Sequence, residues 1–212
     1  MAREIREYSA REEFLHSAVH GVGAVAGGVG ALMLIYKVAH SGAGRILSVL
    51  IYGAALFTVY LSSCLYHAAG SEHPLKKRLE VLDHSAIYLL IFGTYVPSSV
   101  SIVGGALGRT IITLVAVFSF LGVSLSWINL DRYKRYGFVL YILAGGVMIP
   151  FLALGRGTIP DALPLMLLGV IFYTVGVFFY KMQKIPYAHL CWHILVMAGS
   201  LAHYIMIYSY CS

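Results

Sequence analysis

Charged residues are scarce in this chain. Only 11% of its 212 residues are Asp, Glu, Lys or Arg, whereas soluble domains carry about 25%. Hydrophobic residues make up 59% of the chain, and the mean hydropathy is +0.81. So few charges cannot cover a water-facing surface, and the composition therefore excludes an ordinary soluble domain.

Cysteine is also scarce. Cys64, Cys191 and Cys211 lie far apart, are odd in number and show no CxxC spacing, which argues against a disulfide framework, a zinc ribbon or a redox motif. The net charge of +6 comes from basic residues scattered in short polar clusters. Because they form no continuous basic face, no nucleic-acid partner is expected.

Seven apolar blocks are each long enough to cross a bilayer as a helix. The predicted spans are 16–39, 46–69, 80–103, 109–129, 137–155, 164–181 and 187–210. They predict an all-α, polytopic membrane protein, with one seven-helix membrane domain over residues 1–212. Residues 1–15 form a short polar cytoplasmic segment, expected to be retained because its mixed charge does not fit a cleaved signal peptide.

The Lys and Arg residues of the loops predict the orientation. One side of the bundle carries eleven of them and the other side carries four. The eleven are Arg3, Arg6, Arg11, Lys76, Lys77, Arg78, Arg132, Lys134, Arg135, Lys181 and Lys184, and the four are Lys37, Arg45, Arg109 and Arg156. Because basic residues accumulate in cytoplasmic loops, the N-terminus is expected in the cytoplasm and the C-terminus outside.

Four ionisable side chains lie near span ends that this topology places on the cytoplasmic side. His67 is near the end of span two, Asp83 near the start of span three, and His189 and His193 near the start of span seven. Ionisable groups at membrane depth are costly and usually functional. The charge count alone therefore places all four residues in one layer.

The spacing of His189 and His193 suits a metal site. Residues at i and i+4 share one helix face, so both imidazoles can bind one tetrahedral ion. His67 as third ligand would give a zinc site with its fourth position open to water, which is typical of catalytic zinc. In the alternative interpretation, these histidines hydrogen-bond backbone carbonyls of neighbouring helices.

Asp83 and Ser63 are the candidate catalytic residues beside this site. The Asp83 carboxylate could orient the water and accept its proton, although an acid in the first turn of a helix is also favoured by the helix dipole. Ser63 precedes His67 by one turn and could bind a substrate oxyanion or support a ligand. Its alternative role is a hydrogen bond between packed helices.

The other histidines are less clearly placed by the sequence. His20 could support a ligand or replace one. His203 lies ten residues beyond His193, about 15 Å deeper along a helix, and is therefore expected to be an interior histidine. Cys191 points away from His189 around the helix and is excluded as a ligand.

Three segments in order resemble the bacterial hemolysin III family, within the progestin and adipoQ receptor superfamily. The segments are Ser62 to His67, Leu82 to Ser85 running into Gly93 to Pro97, and His189 to His193 followed by Gly199, Ser200 and His203. The family also tends to show E-x-x-N-x-x-x-H near its N-terminus. Glu13 and His20 fit that pattern, and His16 replaces the asparagine.

The resemblance implies a seven-helix bundle in the bacterial cytoplasmic membrane. It implies zinc held by the residues matching His67, His189 and His193, with Asp83 reaching the ion through water and Ser63 nearby. The superfamily's eukaryotic receptors have been linked to ceramidase-like hydrolysis, whereas bacterial members are labelled hemolysins.

Three functions follow as hypotheses. The first is a zinc-dependent hydrolase that cleaves an amide or ester of a lipid-like substrate admitted between helices. The second is a receptor or regulator of membrane state in which zinc pins helices together and a bound lipid shifts their packing. The third is a cytolysin. Membrane lipids are the expected partners in each, and the sequence indicates no oligomeric state.

Overall fold

A computed structural model describes residues 8–148, 159–182 and 184–211. Its α-helices are α1 (Ala10–Lys37), α2 (Ala43–Ala68), α3 (Lys76–Pro97), α4 (Gly105–Gly146), α5 (Ile159–Lys181) and α6 (Ala188–Tyr210). Within these ranges, six helical segments are long and apolar enough to cross a membrane. The prediction of an all-α, multi-pass membrane protein is confirmed.

The first helix begins six residues before the predicted span. Ser9 caps it: Ser9 Oγ accepts a hydrogen bond from the Glu12 amide at 3.2 Å, and Glu12 Oε2 accepts one from the Ser9 amide at 3.0 Å. This reciprocal pair satisfies two backbone donors at the helix start. Residues 10–15 of the predicted polar segment are therefore helical, and residues 1–7 lie outside the described ranges.

Small residues let the first three helices approach closely. A Cβ on Gly53 of α2 would lie 2.6 Å from the Ala31 Cβ of α1, and a Cβ on Gly93 of α3 would lie 2.6 Å from the Ala55 Cβ of α2. Lipid tails are as apolar as the helix surfaces, so the hydrophobic effect does not drive helices together in a bilayer. Helices associate there through close contacts of this kind instead. After Pro97, α3 continues as a π-helical segment, Ser98–Val103.

The fourth helix is broken at Asn129. This residue has φ −165° and ψ 94°, and its Oδ1 accepts a hydrogen bond from the Arg132 amide at 3.0 Å, as in a helix N-cap. Tyr88 contacts α4 on both sides of the break: its ring packs against Gly122, and its hydroxyl donates to the Gly137 carbonyl at 3.2 Å. In a straight helix, those two glycines would be about 22 Å apart. The chain therefore reverses direction at the break.

We call the two parts of α4 its first arm (105–128) and second arm (130–146). The second arm runs in the same direction as α3, since the Tyr95 hydroxyl reaches the Gly145 carbonyl (2.5 Å) near the far ends of both segments. It lies where the sequence predicts the fifth span. The C-terminal part of that predicted span, including Pro150, lies outside the described residues.

The helices form an incomplete ring in the order α4, α3, α2, α1, α6, α5. Each neighbour in this order packs on the next, but within the described ranges α4 and α5 hardly contact each other. Helices α1 and α6 run parallel, because Glu12 accepts a hydrogen bond from the Tyr187 amide at their starts and Lys37 donates to the Tyr208 carbonyl near their ends. We call the end where α1, α3 and α6 begin the site end.

Candidate metal centre

Five histidines meet at the site end. They are His16 and His20 on α1, His67 on α2, and His189 and His193 on α6. Neighbouring rings have centroids between 4.1 and 5.4 Å apart. Because α2 ends where α1 and α6 begin, the fold brings together imidazoles that are distant in the sequence, including the three predicted zinc ligands.

The tightest potential ligand set contains His16. One nitrogen each from His16, His67 and His193 can be chosen so that all three lie within 4.8 Å of one another. The Nε2 atoms of His67 and His193 are 3.2 Å apart. The His189 ring adjoins this set, with its centroid 4.4 Å from that of His193 and 5.0 Å from that of His16.

Several ring nitrogens of the cluster lack a hydrogen-bond partner, which indicates whether these residues could bind a metal. Both nitrogens of His16, and the Nδ1 atoms of His189 and His193, are buried without a hydrogen-bond partner in the described part of the chain. Buried polar atoms are normally satisfied, and the carbonyl partners of the alternative interpretation are not found for these four atoms. Grouped imidazole donors suit Zn²⁺ and similar ions. The donor set therefore fits a metal.

Glu13 contacts Nδ1 of His67, the ring nitrogen that does not face His193. Its Oε2 lies 2.5 Å from His67 Nδ1, and since a carboxylate accepts, Nδ1 carries the proton and Nε2 faces His193 with its lone pair. A carboxylate that fixes the tautomer and orientation of a ligating histidine is a recurrent feature of metal sites. The sequence analysis did not predict this contact. The sequence feature that could have indicated it is the position of Glu13 in the E-x-x-N-x-x-x-H pattern.

Lys76 ties the start of α3 to the same region. Its ammonium group donates to the carbonyls of Tyr66 and Ala69 at 2.7 and 2.9 Å, which satisfies acceptors at the end of α2. The same group lies 3.7 Å from Glu13 Oε1. Glu13 therefore connects α1 with both His67 and the start of α3.

Glu12 positions the start of α6. Its side chain is 1% exposed, and its Oε1 accepts a hydrogen bond from the Tyr187 amide at 3.0 Å. Tyr187 has φ 60°, a left-handed conformation that is uncommon for a non-glycine residue, and it stands two residues before His189. The buried carboxylate thus fixes the turn that places the α6 histidines.

Tyr8 covers the histidine cluster from the N-terminal side. Its ring stacks on that of His189 with centroids 5.0 Å apart, and it meets the His16 ring edge-on at 5.0 Å. The segment just before α1 therefore lies against the cluster.

Asp83 and Ser63 lie beside the cluster and outside the tightest ligand set. Asp83 is partly buried, interacts electrostatically with His67, and lies within hydrogen-bonding reach of the Ser63 hydroxyl. Ser63 is 1% exposed. The ring of the adjacent His84 turns away, with Nδ1 2.9 Å from the Glu80 carbonyl. A carboxylate and a hydroxyl therefore adjoin the imidazoles.

A cavity of about 380 Å³ lies between α2, α3, the second arm of α4, α5 and α6. Its described lining contains no Asp, Glu, Lys or Arg. On three helices, a lining residue stands three or four positions from a residue of the site. These lining residues are Val59 beside Ser63, Ile87 beside Asp83 and Val196 beside His193. Its volume and walls fit an apolar small molecule.

Comparison with known proteins identifies relatives along the whole bundle. The family described as "Haemolysin-III related" matches residues 8–204. The chain is 34% identical over 209 residues to "Hemolysin-3 homolog" of Bacillus subtilis (strain 168), covering 96% of each chain. It is 32% identical over 193 residues to "Hemolysin-3" of Bacillus cereus, covering 90% of this chain and 87% of the relative. It is also 25% identical over 165 residues to "Monocyte to macrophage differentiation factor" of Homo sapiens, covering 76% and 68%. The chain therefore belongs to the haemolysin III-related family.

Proposed function

We propose that this protein is a zinc-dependent membrane hydrolase that cleaves an amide or ester bond in a lipid-like molecule. The observation that carries the proposal is the proximity of two parts of the structure along the same helices. A buried imidazole cluster flanked by a carboxylate and a hydroxyl adjoins an apolar cavity of about 380 Å³. Polar groups converging at one end of an apolar cavity are typical of sites for apolar ligands.

We propose His67, His189 and His193 as the zinc ligands. The pair on α6 is spaced one turn apart on one face, and the hydrogen bond from His67 Nδ1 to Glu13 directs Nε2 of that ring toward His193. His16 competes with His189 for the third position, because its nitrogens fall in the tightest set. Three neutral imidazoles would leave the ion a strong Lewis acid that can polarise a carbonyl.

The roles of the chain's own groups follow from their positions. In this proposal, Asp83 accepts a proton from a water molecule and returns it to the leaving group. The buried Ser63 hydroxyl, next to Asp83, would donate a hydrogen bond to a substrate oxygen. The apolar cavity would hold the substrate's chain and thereby fix its carbonyl relative to these groups.

The gap in the ring of helices offers a path from the bilayer. The cavity lies where α4 and α5 hardly contact each other in the described ranges, and two of its lining side chains, Ile142 and Leu167, are 56% and 43% exposed. An apolar molecule could therefore enter sideways from lipid, without passing through water.

The test is an Asp83→Asn variant assayed against ceramide, acyl-amide and ester lipids. This nearly isosteric change should keep zinc and folding but abolish hydrolysis, because the amide cannot accept the proton. Asp161→Asn, at the start of α5, serves as the matched control and should hydrolyse like wild type. Full activity of the Asp83 variant would remove Asp83 from the mechanism. A wild-type protein with stoichiometric zinc and no turnover on any of these lipids would overturn the hydrolase proposal.

The second candidate is a regulator of membrane state without turnover. The location of the histidines on three different helices favours it. A metal bound by side chains of α1, α2 and α6 would hold these helices together. Zinc would then raise the melting temperature of the purified protein, and lipid binding would change helix packing without product formation.

A third candidate comes from the printed names of the Bacillus relatives. If this chain were a cytolysin, purified protein should lyse erythrocytes. A bundle of apolar helices is poorly suited to secretion and insertion into another cell, so we expect no lysis by protein added from outside.

We propose seven spans, with the N-terminus in the cytoplasm and the C-terminus outside, in a bacterial cytoplasmic membrane. The reversal at Asn129 supports an additional crossing, and the parallel arrangement of α1 and α6 supports chain ends on opposite sides. The eleven-to-four distribution of Lys and Arg supports the orientation.

A further inference from the structure

Four of the five clustered histidines surround a common point. They are His16 on α1, His67 on α2, and His189 and His193 on α6. All six separations between their ring centroids lie between 4.4 and 5.4 Å. Four points with six similar separations form a tetrahedron, because the diagonals of a flat arrangement would be much longer than its sides. The four rings therefore stand at the corners of a tetrahedron.

The size of this tetrahedron fits a single metal ion. Four imidazoles on one zinc ion, with metal–nitrogen bonds of about 2.0–2.1 Å, would place their ring centroids about 5 Å apart. Two ligating nitrogens of such an ion would be about 3.4 Å apart, and the Nε2 atoms of His67 and His193 are 3.2 Å apart. The observed spacing therefore accommodates a fourth imidazole ligand beside the three of the proposed function.

His16 is the additional ligand that this arrangement provides. The residue is 0% exposed, and its Nε2 atom has no hydrogen-bond partner in the described part of the chain. Its Nδ1 atom lies 3.8 Å from Glu13 Oε2, the oxygen that also contacts Nδ1 of His67 at 2.5 Å. The same carboxylate therefore adjoins the Nδ1 edge of both rings and leaves Nε2 of each for a cation.

His189 can join the set without losing a hydrogen bond at Nδ1. That atom is buried and has no partner within the described ranges, so the ring can turn toward the common point. The fifth histidine, His20, packs against Tyr60 and His193 and is not a corner of the tetrahedron. Because it is a buried imidazole one turn from His16 on the same helix, it offers a matched comparison.

We infer that His16 is a fourth protein ligand of the metal, which closes the site while no substrate is bound. Four protein ligands complete a tetrahedral shell and leave no position for water. Hydrolysis could then begin only after His16 has left the shell, so this residue would hold the resting site inactive. The inference rests on the proposed function for the other three ligands.

The two histidines on either side of this arrangement differ in what their loss should do. Removal of His16 leaves His67 and the α6 pair in place, so the protein should still bind the ion. Removal of His189 breaks the pair that one helix holds at i, i+4 spacing, so it should cost most of the metal. A closing ligand is therefore expected to be dispensable for binding but visible in the coordination of the ion.

The test replaces zinc with cobalt in the purified protein in detergent and records the visible absorption spectrum, which depends on the atoms bound to the ion. His16→Ala removes one imidazole from the shell, so the protein should bind cobalt with a spectrum shifted from that of wild type. Added imidazole should fill the vacated space and restore the wild-type spectrum in a saturable manner. His20→Ala should keep the wild-type spectrum, with or without imidazole.

A second variant separates ligation from the filling of space. His16→Phe keeps a ring at this position and removes both nitrogens, so it should lose the wild-type spectrum and should not recover it with imidazole. A spectrum common to wild type and both His16 variants, an equal change in His20→Ala, or no recovery of His16→Ala with imidazole would each overturn the inference and leave the hydrolase proposal in place. A wild-type protein that binds no cobalt would overturn both.

Discussion

The contact between Glu13 and His67 gives a quantitative prediction about metal affinity. Glu13→Gln keeps the size of the side chain but replaces a charged acceptor with a neutral amide. The Oε2 atom is 2.5 Å from His67 Nδ1, so the change weakens a short, charge-assisted hydrogen bond and removes the negative charge that favours a cation nearby. The imidazole becomes a weaker and less well oriented donor.

The expected loss is about tenfold in zinc affinity. Removing a hydrogen-bond partner of a ligating histidine costs roughly 10- to 100-fold. The Glu13 side chain is 28% exposed, so water can partly replace the lost bond, which places the effect at the lower end. Tenfold corresponds to about 1.4 kcal/mol. The lost contact with Lys76, 3.7 Å away and partly exposed, should reduce folding stability by less than about 1 kcal/mol.

The assay is zinc competition with a calibrated chelator, carried out on purified protein in detergent. Glu72→Gln is the matched control, because it removes the same charge from an exposed site near the start of α3 and should bind zinc like wild type. Wild-type zinc affinity in Glu13→Gln would refute the reasoning. So would an equal loss in both variants, because that would indicate a general effect of charge.

Three further predictions concern the ligands, the topology and the helix break. His189→Ala should lose most of the bound zinc while His16→Ala keeps it, as measured by metal analysis, and the reverse result would make His16 the third ligand. A reporter fused after Ser212 should be active outside the cell, and activity in the cytoplasm would overturn the proposed orientation. Asn129→Ala should destabilise the protein by about 1 kcal/mol through loss of the cap, seen as a lower melting temperature, whereas Asn129→Asp should retain the cap.

The sequence by itself predicted the class of protein and the layer of the site. Apolar blocks of membrane-spanning length are a local property, and so is the i, i+4 spacing of His189 and His193. Charge counting then placed the end of α2 and the starts of α3 and α6 on one side, and the structure brings these ends together. The sequence also placed a boundary at residue 129, where α4 breaks.

Only the tertiary structure decided which side chains touch. Glu13 and His67 are 54 residues apart, and no local pattern shows that their atoms meet. His16 enters the cluster because α1 packs between α2 and α6, and its potential as a ligand depends on that packing. The cavity likewise depends on packing, because its lining comes from five helices. Hydropathy and spacing constrain each helix and its ends separately, whereas hydrogen bonds, ligand sets and cavities depend on distances between helices, which only their packing determines.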